Sequence, residues 1–343
     1  MIDLKDYGYQ NDEIPPDGQN PGRITAVHRE RYELAGKNGI LFGKLKNGIY
    51  YHSGAEPFPT VGDFVYYRAV TGGDCQIVKT LPRKSYFARL DPNPNGGIQQ
   101  AVAANIDLAF IMTSLNYDFN ISRLERYLAL TRQSNARPAV ILTKTDLADN
   151  YDTEVAIALA VAGDAPVIPL SVVDGTGLDE IKRFLLPRLT VAFLGMSGVG
   201  KSSLLNALMG EEVMNVSTIR EDDSRGRHTT THRQLVMLPG GAMVIDTPGM
   251  RTMGMWEADA GLSLTFTDVE AIMENCRFSD CRHQTEPGCA VHAAIADGEI
   301  TAEHWQNYQK LKKESAYAER KAEFIRIKSA RNKMIAMENR RKK

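Results

Sequence analysis

The sequence predicts a multidomain chain: an N-terminal β-barrel, a central α/β domain built around a glycine-rich loop, and a C-terminal helical domain with a cysteine–histidine cluster. Three observations predict this. Short strands separated by turns fill residues 23–90, a glycine-rich loop at 195–202 lies between an apolar strand and a helix, and three of the four cysteines fall within 276–289. With 343 residues the chain is long enough for two or three domains, and 43% hydrophobic and 24% charged residues are typical of a globular protein.

The N-terminal part divides by charge and by pattern. Residues 1–22 carry a net charge of −4 and three prolines, which predicts a flexible acidic tail. Residues 23–90 carry a net charge of +6 and about five short strands, which suits an OB-fold that binds RNA by aromatic stacking and phosphate pairing. Strand alternation predicts that about half of the barrel tyrosines are on the surface. These are Tyr50, Tyr51, Tyr66 and Tyr67.

A linker and an α/β domain come next. Residues 91–100 are rich in Pro, Asn and Gly, so we expect a linker over 91–105. The α/β domain is predicted over 106–262, opening with a strand at 106–112 and a helix at 123–134.

The segment 195–202 matches G-x-x-x-x-G-K-[ST], the phosphate-binding P-loop. It has the required context, because the apolar run 190–194 precedes it and a helix follows it. In such a loop the backbone N–H groups hold phosphate oxygens, Lys201 reaches the β- and γ-phosphates, and Ser202 ligates Mg²⁺. The predicted contacts are Gly195, Ser197, Gly198, Val199, Gly200, Lys201, Ser202 and Ser203.

Two segments upstream of the P-loop resemble the loops that bind the guanine base in GTPases; we call them the base-reading loops. Thr143–Asp146 resembles the guanine-reading N-K-x-D motif, in which Asp146 accepts the N1–H and N2–H₂ of guanine. Lys144 would lie along the base plane, and Thr143 replaces the usual Asn. Ser171–Gly177 resembles the loop that backs the base. Either loop alone is also compatible with an ordinary turn at a strand end.

The segment Asp246–Gly249 has the D-x-x-G form of a GTPase second switch. Asp246 would hold Mg²⁺ through water, and the N–H of Gly249 would sense the γ-phosphate. The base-reading loops precede the P-loop here, whereas ordinary GTPases have the opposite order. The sequence therefore predicts a circularly permuted GTPase domain.

The cysteine–histidine cluster has the spacing C-x4-C-x-H-x5-C. Three thiolates and one imidazole suit tetrahedral Zn²⁺, and four protein ligands leave no open position, so we predict one structural zinc ion. The ligands are Cys276, Cys281, His283 and Cys289. The alternative is a set of ordinary buried thiols.

Together these motifs, with the segment Gly226–Thr231, resemble the RsgA (YjeQ) family of small-ribosomal-subunit-dependent GTPases over about residues 23–315. The resemblance implies an OB-fold, a permuted GTPase domain and a zinc domain, here at 263–343. It also implies GTP hydrolysis stimulated by the 30S subunit late in its maturation, followed by release.

The catalytic residues are harder to identify. Met250 follows the second switch and can neither orient water nor supply charge. His228 matches the first-switch histidine that the resemblance implies as the water-positioning group. One of Thr229, Thr230 and Thr231 should ligate Mg²⁺ through the first switch, and we favour Thr231.

Charge and composition predict the partners. Residues 306–343 carry a net charge of +9, within a long basic helix predicted from residue 303 onward. Basic ends around an acidic middle suggest nucleic-acid contacts at both ends, although either end alone is also compatible with a solvated face. The resemblance implies that the nucleic acid is the 16S rRNA of the 30S subunit. We expect GTP/GDP, Mg²⁺ and one Zn²⁺ as ligands, and a monomeric, cytoplasmic chain without a signal peptide, membrane span or DNA partner. Two alternatives stay open: a P-loop ATPase or kinase, and an RNA-binding scaffold in which GTP is structural.

Overall fold

The computed structural model describes residues 1–10, 14–28, 31–53, 57–90, 99–116, 119–213, 234–246 and 258–341. The chain forms two compact units, each assembled from segments that are distant in sequence. Unit 1 consists of Met1–Ala88, Ala101–Asn120 and Asn135–Thr252. Unit 2 consists of Arg89–Gln100, Ile121–Ser134 and Met253–Lys343.

Most strands belong to one sheet. Within the described residues the strands are β1 (Asn20–His28), β2 (Arg31–Gly36), β3 (Gly39–Leu45), β4 (Phe64–Arg68), β5 (Cys75–Thr80), β6 (Tyr86–Leu90), β7 (Gln99–Ala104), β8 (Leu108–Ser114), β9 (Arg137–Thr143), β10 (Val167–Leu170), β11 (Thr190–Leu194), β12 (Gln234–Met237) and β13 (Met243–Asp246). Eleven of them pair in the order β10-β9-β8-β11-β13-β12-β1-β2-β3-β5-β4, while β6 pairs with β7.

The helices are divided between the units. They are α1 (Ile121–Gln133), α2 (Asp152–Ala162), α3 (Leu178–Phe184), α4 (Lys201–Met209), α5 (Asp259–Thr265), α6 (Thr267–Met273), α7 (Ala290–Ala296) and α8 (Ala302–Arg341). Short helical turns add Gly48–Ser53 and Thr145–Leu147. Among the described helices, none is both long and apolar enough to pass through a bilayer.

Strands β1 to β5 close into a barrel. β1 pairs antiparallel with both β2 and β4, β2 pairs with β3, and β5 bridges β3 and β4. The ring therefore has no free edge, and its interior is filled by apolar side chains such as Ile24, Leu34, Val65 and Ile77. The five-stranded barrel predicted from the sequence is confirmed.

The barrel tyrosines are more buried than strand alternation predicts. Tyr50, Tyr66 and Tyr67 are only 1%, 3% and 2% exposed. Tyr67 packs in the barrel interior, Tyr66 packs with Val78 on the other side of β4, and the hydroxyl of Tyr50 lies 3.0 Å from that of Thr80. Neighbouring segments cover both faces of β4, and Tyr50 packs with the barrel interior, so these three rings are core residues and not a surface for stacking bases. The side chain of Tyr51 lies outside the described residues.

The other half of the sheet is parallel and fully covered. β10, β9, β8, β11 and β13 run parallel, and β12 pairs antiparallel with β13. All seven residues of β8 are buried, as expected for a strand covered on both faces. Phe110 and Phe193 stack in this core with ring centroids 5.9 Å apart. The carboxyl ends of the parallel strands share one edge, where ligands bind in open α/β sheets.

Unit 1 joins the barrel to the parallel strands through a strand pair and a buried arginine. β12 pairs with β1 at Gln234 and Ala26. The guanidinium of Arg23 donates to the carbonyls of Gly62 (3.2 Å) and Tyr7 (2.5 Å) and to the hydroxyl of Thr190 (2.8 Å). Burial lowers the pKa of Arg23 to about 10, so the group is still charged at neutral pH.

The described part of residues 1–22 differs from the flexible tail that its composition predicts. Leu4 is buried, the ring centroid of Tyr9 lies 5.3 Å from that of Phe64, and the carbonyl of Tyr7 accepts from Arg23. Residues 20–22 already belong to β1. Apolar side chains placed between the acidic residues are enough to hold this segment against unit 1.

Unit 2 gathers α1 with the C-terminal helices. In sequence α1 connects β8 to β9, yet it packs against α5 and α8. At Gly261 of α5 a Cβ atom would come within 2.2 Å of the carbonyl oxygen of Ala129, so only glycine permits this close crossing. The domain boundaries predicted at 106–262 and 263–343 stay a prediction.

A polar cluster around the buried side chains of Glu125 and His304 also holds α1 within unit 2. His304 contacts Glu125 through Nδ1 (2.5 Å) and Asp268 through Nε2 (3.1 Å), and Asn307 donates to Glu125 (2.8 Å). Burial lowers the pKa of His304, but the hydrogen bonds and charges of Asp268 and Glu125 outweigh burial and raise it to about 9. The imidazolium therefore donates from both nitrogens at neutral pH.

Candidate nucleotide site and metal centre

The P-loop connects β11 to α4 through three glycines with unusual backbone conformations. Gly195, Gly198 and Gly200 have φ angles of 155°, 77° and 105°. A Cβ atom at Gly195 would lie 2.6 Å from the carbonyl oxygen of Met112, whereas one at Gly200 would meet no atom of the described residues within 4 Å. The loop thus combines a tight turn against β8 with open space at the N-terminus of α4, which fits a phosphate chain.

Lys201 begins α4 and curls over the loop. Its Nζ donates to the carbonyls of Gly195 (2.9 Å) and Met196 (2.6 Å). The ammonium group therefore lies at the mouth of the loop, where phosphates would be bound. Ser202 and Ser203, in the first turn of α4, are partly buried, and Ser197 is exposed.

The two base-reading loops follow β9 and β10 at the same edge of the sheet. Lys144 has a left-handed conformation (φ 63°), which turns the chain sharply after Thr143 and leaves Asp146 exposed. The buried hydroxyl of Ser171 donates to Oδ1 of Asp146 (2.7 Å) and accepts from the backbone N–H of Val173 (3.1 Å). Ser171 therefore fixes the position of the carboxylate that is predicted to read guanine.

Thr143 contacts the P-loop directly. Its hydroxyl donates to the carbonyl oxygen of Val199 (2.7 Å), and both side chains are buried. The backbone carbonyl of Thr143 accepts from Leu115, just beyond β8 (2.9 Å). The residue that replaces the usual Asn thus connects its own loop to the P-loop, a contact that the sequence pattern did not predict.

The two switches are only partly described. Asp246 ends β13 and is paired with Phe193 of β11, so it lies at the same edge as the P-loop. Gly249, His228 and Thr231 lie outside the described residues. The magnesium ligation predicted for Asp246 and Ser202 stays a prediction.

The predicted metal ligands meet in unit 2. One ligand atom from each of Cys276, Cys281, His283 and Cys289 lies within 4.8 Å of all the others. His283 has a left-handed backbone (φ 56°), and its Nδ1 lies 3.5 Å from Sγ of Cys276 and 3.6 Å from Sγ of Cys289. Three thiols and one imidazole converging on one point fit tetrahedral Zn²⁺.

Two neighbours support this cluster, and neither was predicted from the sequence. The ring of Trp305 packs edge-on against the ring of His283 at 5.3 Å. Glu286 accepts backbone N–H bonds from Arg282, Gln284 and Thr285, and these bonds lower its pKa to about 2. The loop between the ligands is therefore held by a carboxylate that stays ionised.

The geometry and the chain order together define a class of protein. The base-reading loops at the ends of β9 and β10 precede the P-loop after β11, and all of them meet at the carboxyl edge of one parallel sheet. This is a circularly permuted P-loop GTPase domain, joined here to a five-stranded barrel and a helical C-terminal part with a Cys₃His cluster.

Comparison with known proteins identifies the family. A sequence model of the RsgA GTPase family matches residues 80–256. The chain therefore belongs to the RsgA GTPase family.

Individual relatives are similar over most of their length. The chain is 43% identical over 321 residues to small ribosomal subunit biogenesis GTPase RsgA 2 of Listeria monocytogenes, covering 93% of this chain and 91% of that protein. It is 45% identical over 300 residues to RsgA 1 of Listeria monocytogenes, covering 88% and 85%. The crystal structure of YjeQ from Thermotoga maritima superposes with a TM-score of 0.62 at 25% identity, covering 85% of this chain and 97% of that one.

Proposed function

We propose that this chain is a GTP hydrolase that binds the 30S ribosomal subunit as a monomer, is stimulated by it in late small-subunit maturation, and leaves after hydrolysis. Its relatives are named for small-ribosomal-subunit biogenesis. The observation that carries the proposal is the junction of the base-reading loops with the P-loop. Ser171 donates a hydrogen bond to Asp146, and Thr143 donates one to the carbonyl of Val199. The base and the phosphates would therefore bind to one connected site.

The chemistry follows from the side chains at that site. Asp146 accepts the two N–H groups on one edge of guanine, and Lys201 balances the charge of the β- and γ-phosphates. Ser202, Asp246 and Thr231 would hold Mg²⁺, which neutralises charge on the phosphate oxygens when bound. His228 orients the attacking water, because Met250, next to the second switch, has no group that does so.

One structural Zn²⁺ completes the C-terminal part. Cys276, Cys281, His283 and Cys289 supply four ligands and leave no open position for chemistry. Its role is to hold the loop between α6 and α7, whose few residues bury too little apolar surface to fold alone.

Two exposed surfaces suit 16S rRNA. On the barrel, the guanidinium of Arg31 lies 4.0 Å from the ring centroid of Phe42, and the side chain of Lys44 is exposed. On α8, aromatic, aliphatic and cationic side chains recur at helical spacing along one face. These are Tyr317, Arg320, Lys321, Phe324, Ile327, Lys328 and Arg331, all exposed. Cations pair with phosphates, and aromatic faces stack on unpaired bases.

A turnover assay with and without purified 30S subunits tests the proposal. GTP hydrolysis should rise when subunits are added, and ATP should not replace GTP. Lys201→Ala should lose nucleotide binding, whereas His228→Ala should keep binding and lose most of the stimulated rate. Equal turnover with and without subunits would favour the scaffold alternative, and equal use of ATP would favour the ATPase alternative.

Binding measurements test the partner separately. Affinity for 30S subunits should fall steeply with salt, since each neutralised phosphate releases counterions. It should be higher with a non-hydrolysable GTP analogue than with GDP, and by linkage the subunit must favour the analogue by the same factor.

A charge variant of α8 sharpens this test. Lys321→Ala with Lys328→Ala should weaken 30S binding and reduce its salt dependence. The matched control removes two exposed cations from α3, Lys182 and Arg183, and should change neither. If both double variants bind alike, the basic face of α8 is only a solvated surface.

A further inference from the structure

We propose that Thr143 is a positioning residue that braces the phosphate loop and does not read the base. The inference rests on the proposed guanine-nucleotide binding and adds a separate role for each of two residues of the loop Thr143–Asp146. It starts from one contact: the hydroxyl of Thr143 donates to the carbonyl of Val199 at 2.7 Å, inside the protein.

The donor count of the side chain decides the role. An asparagine amide has two N–H donors and one acceptor, so it can brace a loop and bind a ligand at the same time. A hydroxyl has one proton only. The carbonyl of Val199 accepts the hydrogen bond from that hydroxyl at 2.7 Å, whereas the second acceptor in reach, the carbonyl of Thr113, is 3.4 Å away. Nothing then remains to donate to N7 of guanine, which is an acceptor.

The surroundings of Thr143 make the brace rigid. Its backbone lies at the end of β9, paired with Ser114 of β8 on one side and Leu170 of β10 on the other. The carbonyl of Val199 belongs to the loop that cradles the phosphates, immediately before Gly200 and Lys201. Through this bond three strands of the sheet fix the loop, so loss of the hydroxyl would leave a buried carbonyl unpaired and free the loop.

Base recognition is left to the next part of the motif. Asp146 faces solvent with one carboxylate oxygen held by Ser171, and it addresses the N1–H and N2–H₂ edge of guanine. The structure thus assigns the phosphate loop to Thr143 and the base to Asp146, three positions apart in one loop.

The chain offers a matched control at Thr145. This threonine lies in the same loop and is buried, but its hydroxyl has no hydrogen-bond partner among the residues that the structure describes. Replacing either threonine by valine keeps shape and volume and removes one hydroxyl. The two variants therefore differ in whether a hydrogen bond is lost.

The experiment measures the affinity of the full-length chain for GTP and for 7-deaza-GTP, which lacks the N7 acceptor. The unmutated protein should bind both nucleotides within about twofold of each other. Thr143→Val should weaken both by the same factor, about tenfold or more, because a buried acceptor loses its donor. Thr143→Ser and Thr145→Val should each stay within about twofold of the unmutated protein.

Three results would overturn the proposal. The first is a preference of the unmutated protein for GTP over 7-deaza-GTP that disappears in Thr143→Val, since the hydroxyl would then read N7. The second is normal GTP binding by Thr143→Val, with or without a lower melting temperature. The third is a Thr143→Ser variant as weak as Thr143→Val, which would assign the effect to the methyl group. Equal affinity of the unmutated protein for GTP and ATP would instead refute guanine recognition itself.

Discussion

Asp146 is the residue that we propose to select guanine over other bases. Asp146→Asn should lower affinity for GTP by roughly ten- to a hundredfold, because a charge-assisted hydrogen bond is worth about 1.5–3 kcal/mol. The same variant should favour xanthosine triphosphate, whose C2 oxygen needs a donor that the amide supplies. Competition binding with the two nucleotides measures the switch. An unchanged ratio of the two affinities would mean that another residue reads the base.

For single residues, the sequence predicted which side chains belong to the site better than it predicted their contacts. Gly195, Gly198 and Gly200 were identifiable because the fold requires φ angles that other residues avoid. The bracing role of Thr143 was not, because a threonine after a buried strand is common and only the folded chain brings Val199 to it. Trp305 beside His283 was missed for the same reason.

Because of the polar cluster on α1, α6 and α8, we expect the stability of unit 2 to fall as the pH becomes alkaline. The pKa of folded His304 is about 9, above the ordinary value of 6.5 that applies when the chain is unfolded. Its stabilisation is therefore complete below pH 6.5 and is lost as the pH rises through 9. A pKa shift of this size corresponds to about 3 kcal/mol in the free energy of unfolding.

Thermal unfolding from pH 6 to 10 checks this expectation. The melting temperature of the part containing unit 2 should fall between pH 6.5 and 9, and His304→Gln should remove most of that dependence. His292→Gln, on the exposed side of α7, is the control and should keep the pH profile of the unmutated protein. A His304→Gln profile that still falls over this range would place the titrating group elsewhere.

The metal loop gives a second prediction for unit 2. The purified protein should carry one Zn²⁺ per chain by elemental analysis, and Cys281→Ser should lose it. Because Trp305 packs on His283, tryptophan fluorescence should change when a chelator removes the metal. GTP binding should persist. A metal-free protein whose C-terminal part resists proteases would contradict the structural role.

The elements themselves were largely predictable, but their grouping was not. The closed barrel, the strand before the P-loop and the long helix α8 follow from hydrophobic periodicity and turn residues. The packing of α1 with the C-terminal helices does not, because it depends on Gly261 admitting the backbone of Ala129 and on Glu125 meeting His304. Such contacts between distant segments leave no periodic signal.

For the molecule as a whole, Arg23 is the residue that we expect to matter most for the stability of unit 1. Arg23→Met removes a buried guanidinium and takes its hydrogen bonds away from the carbonyl of Tyr7, the hydroxyl of Thr190 and the carbonyl of Gly62, the last of which keeps its bond from the side-chain amide of Asn105. Each buried acceptor that loses its donor costs about 1–3 kcal/mol, so the free energy of unfolding, measured by urea denaturation, should fall by a few kcal/mol. Arg68→Met, at the exposed end of β4, should cost less than about 0.5 kcal/mol. Similar values for both variants would show that the joint tolerates an apolar side chain.

The pairing of β12 with β1 has a consequence for how the barrel should be removed in experiments. Cutting the chain after residue 90 would take away β1, the strand that pairs with β12 at Gln234, and leave β12 at the edge of the sheet. Such an edge invites pairing with another chain, so the truncated protein should self-associate whatever its affinity for RNA. Substituting Arg31, Phe42 and Lys44 on the barrel surface instead leaves β1 in place beside β12. Such a variant separates the loss of an RNA contact from the self-association that truncation would cause.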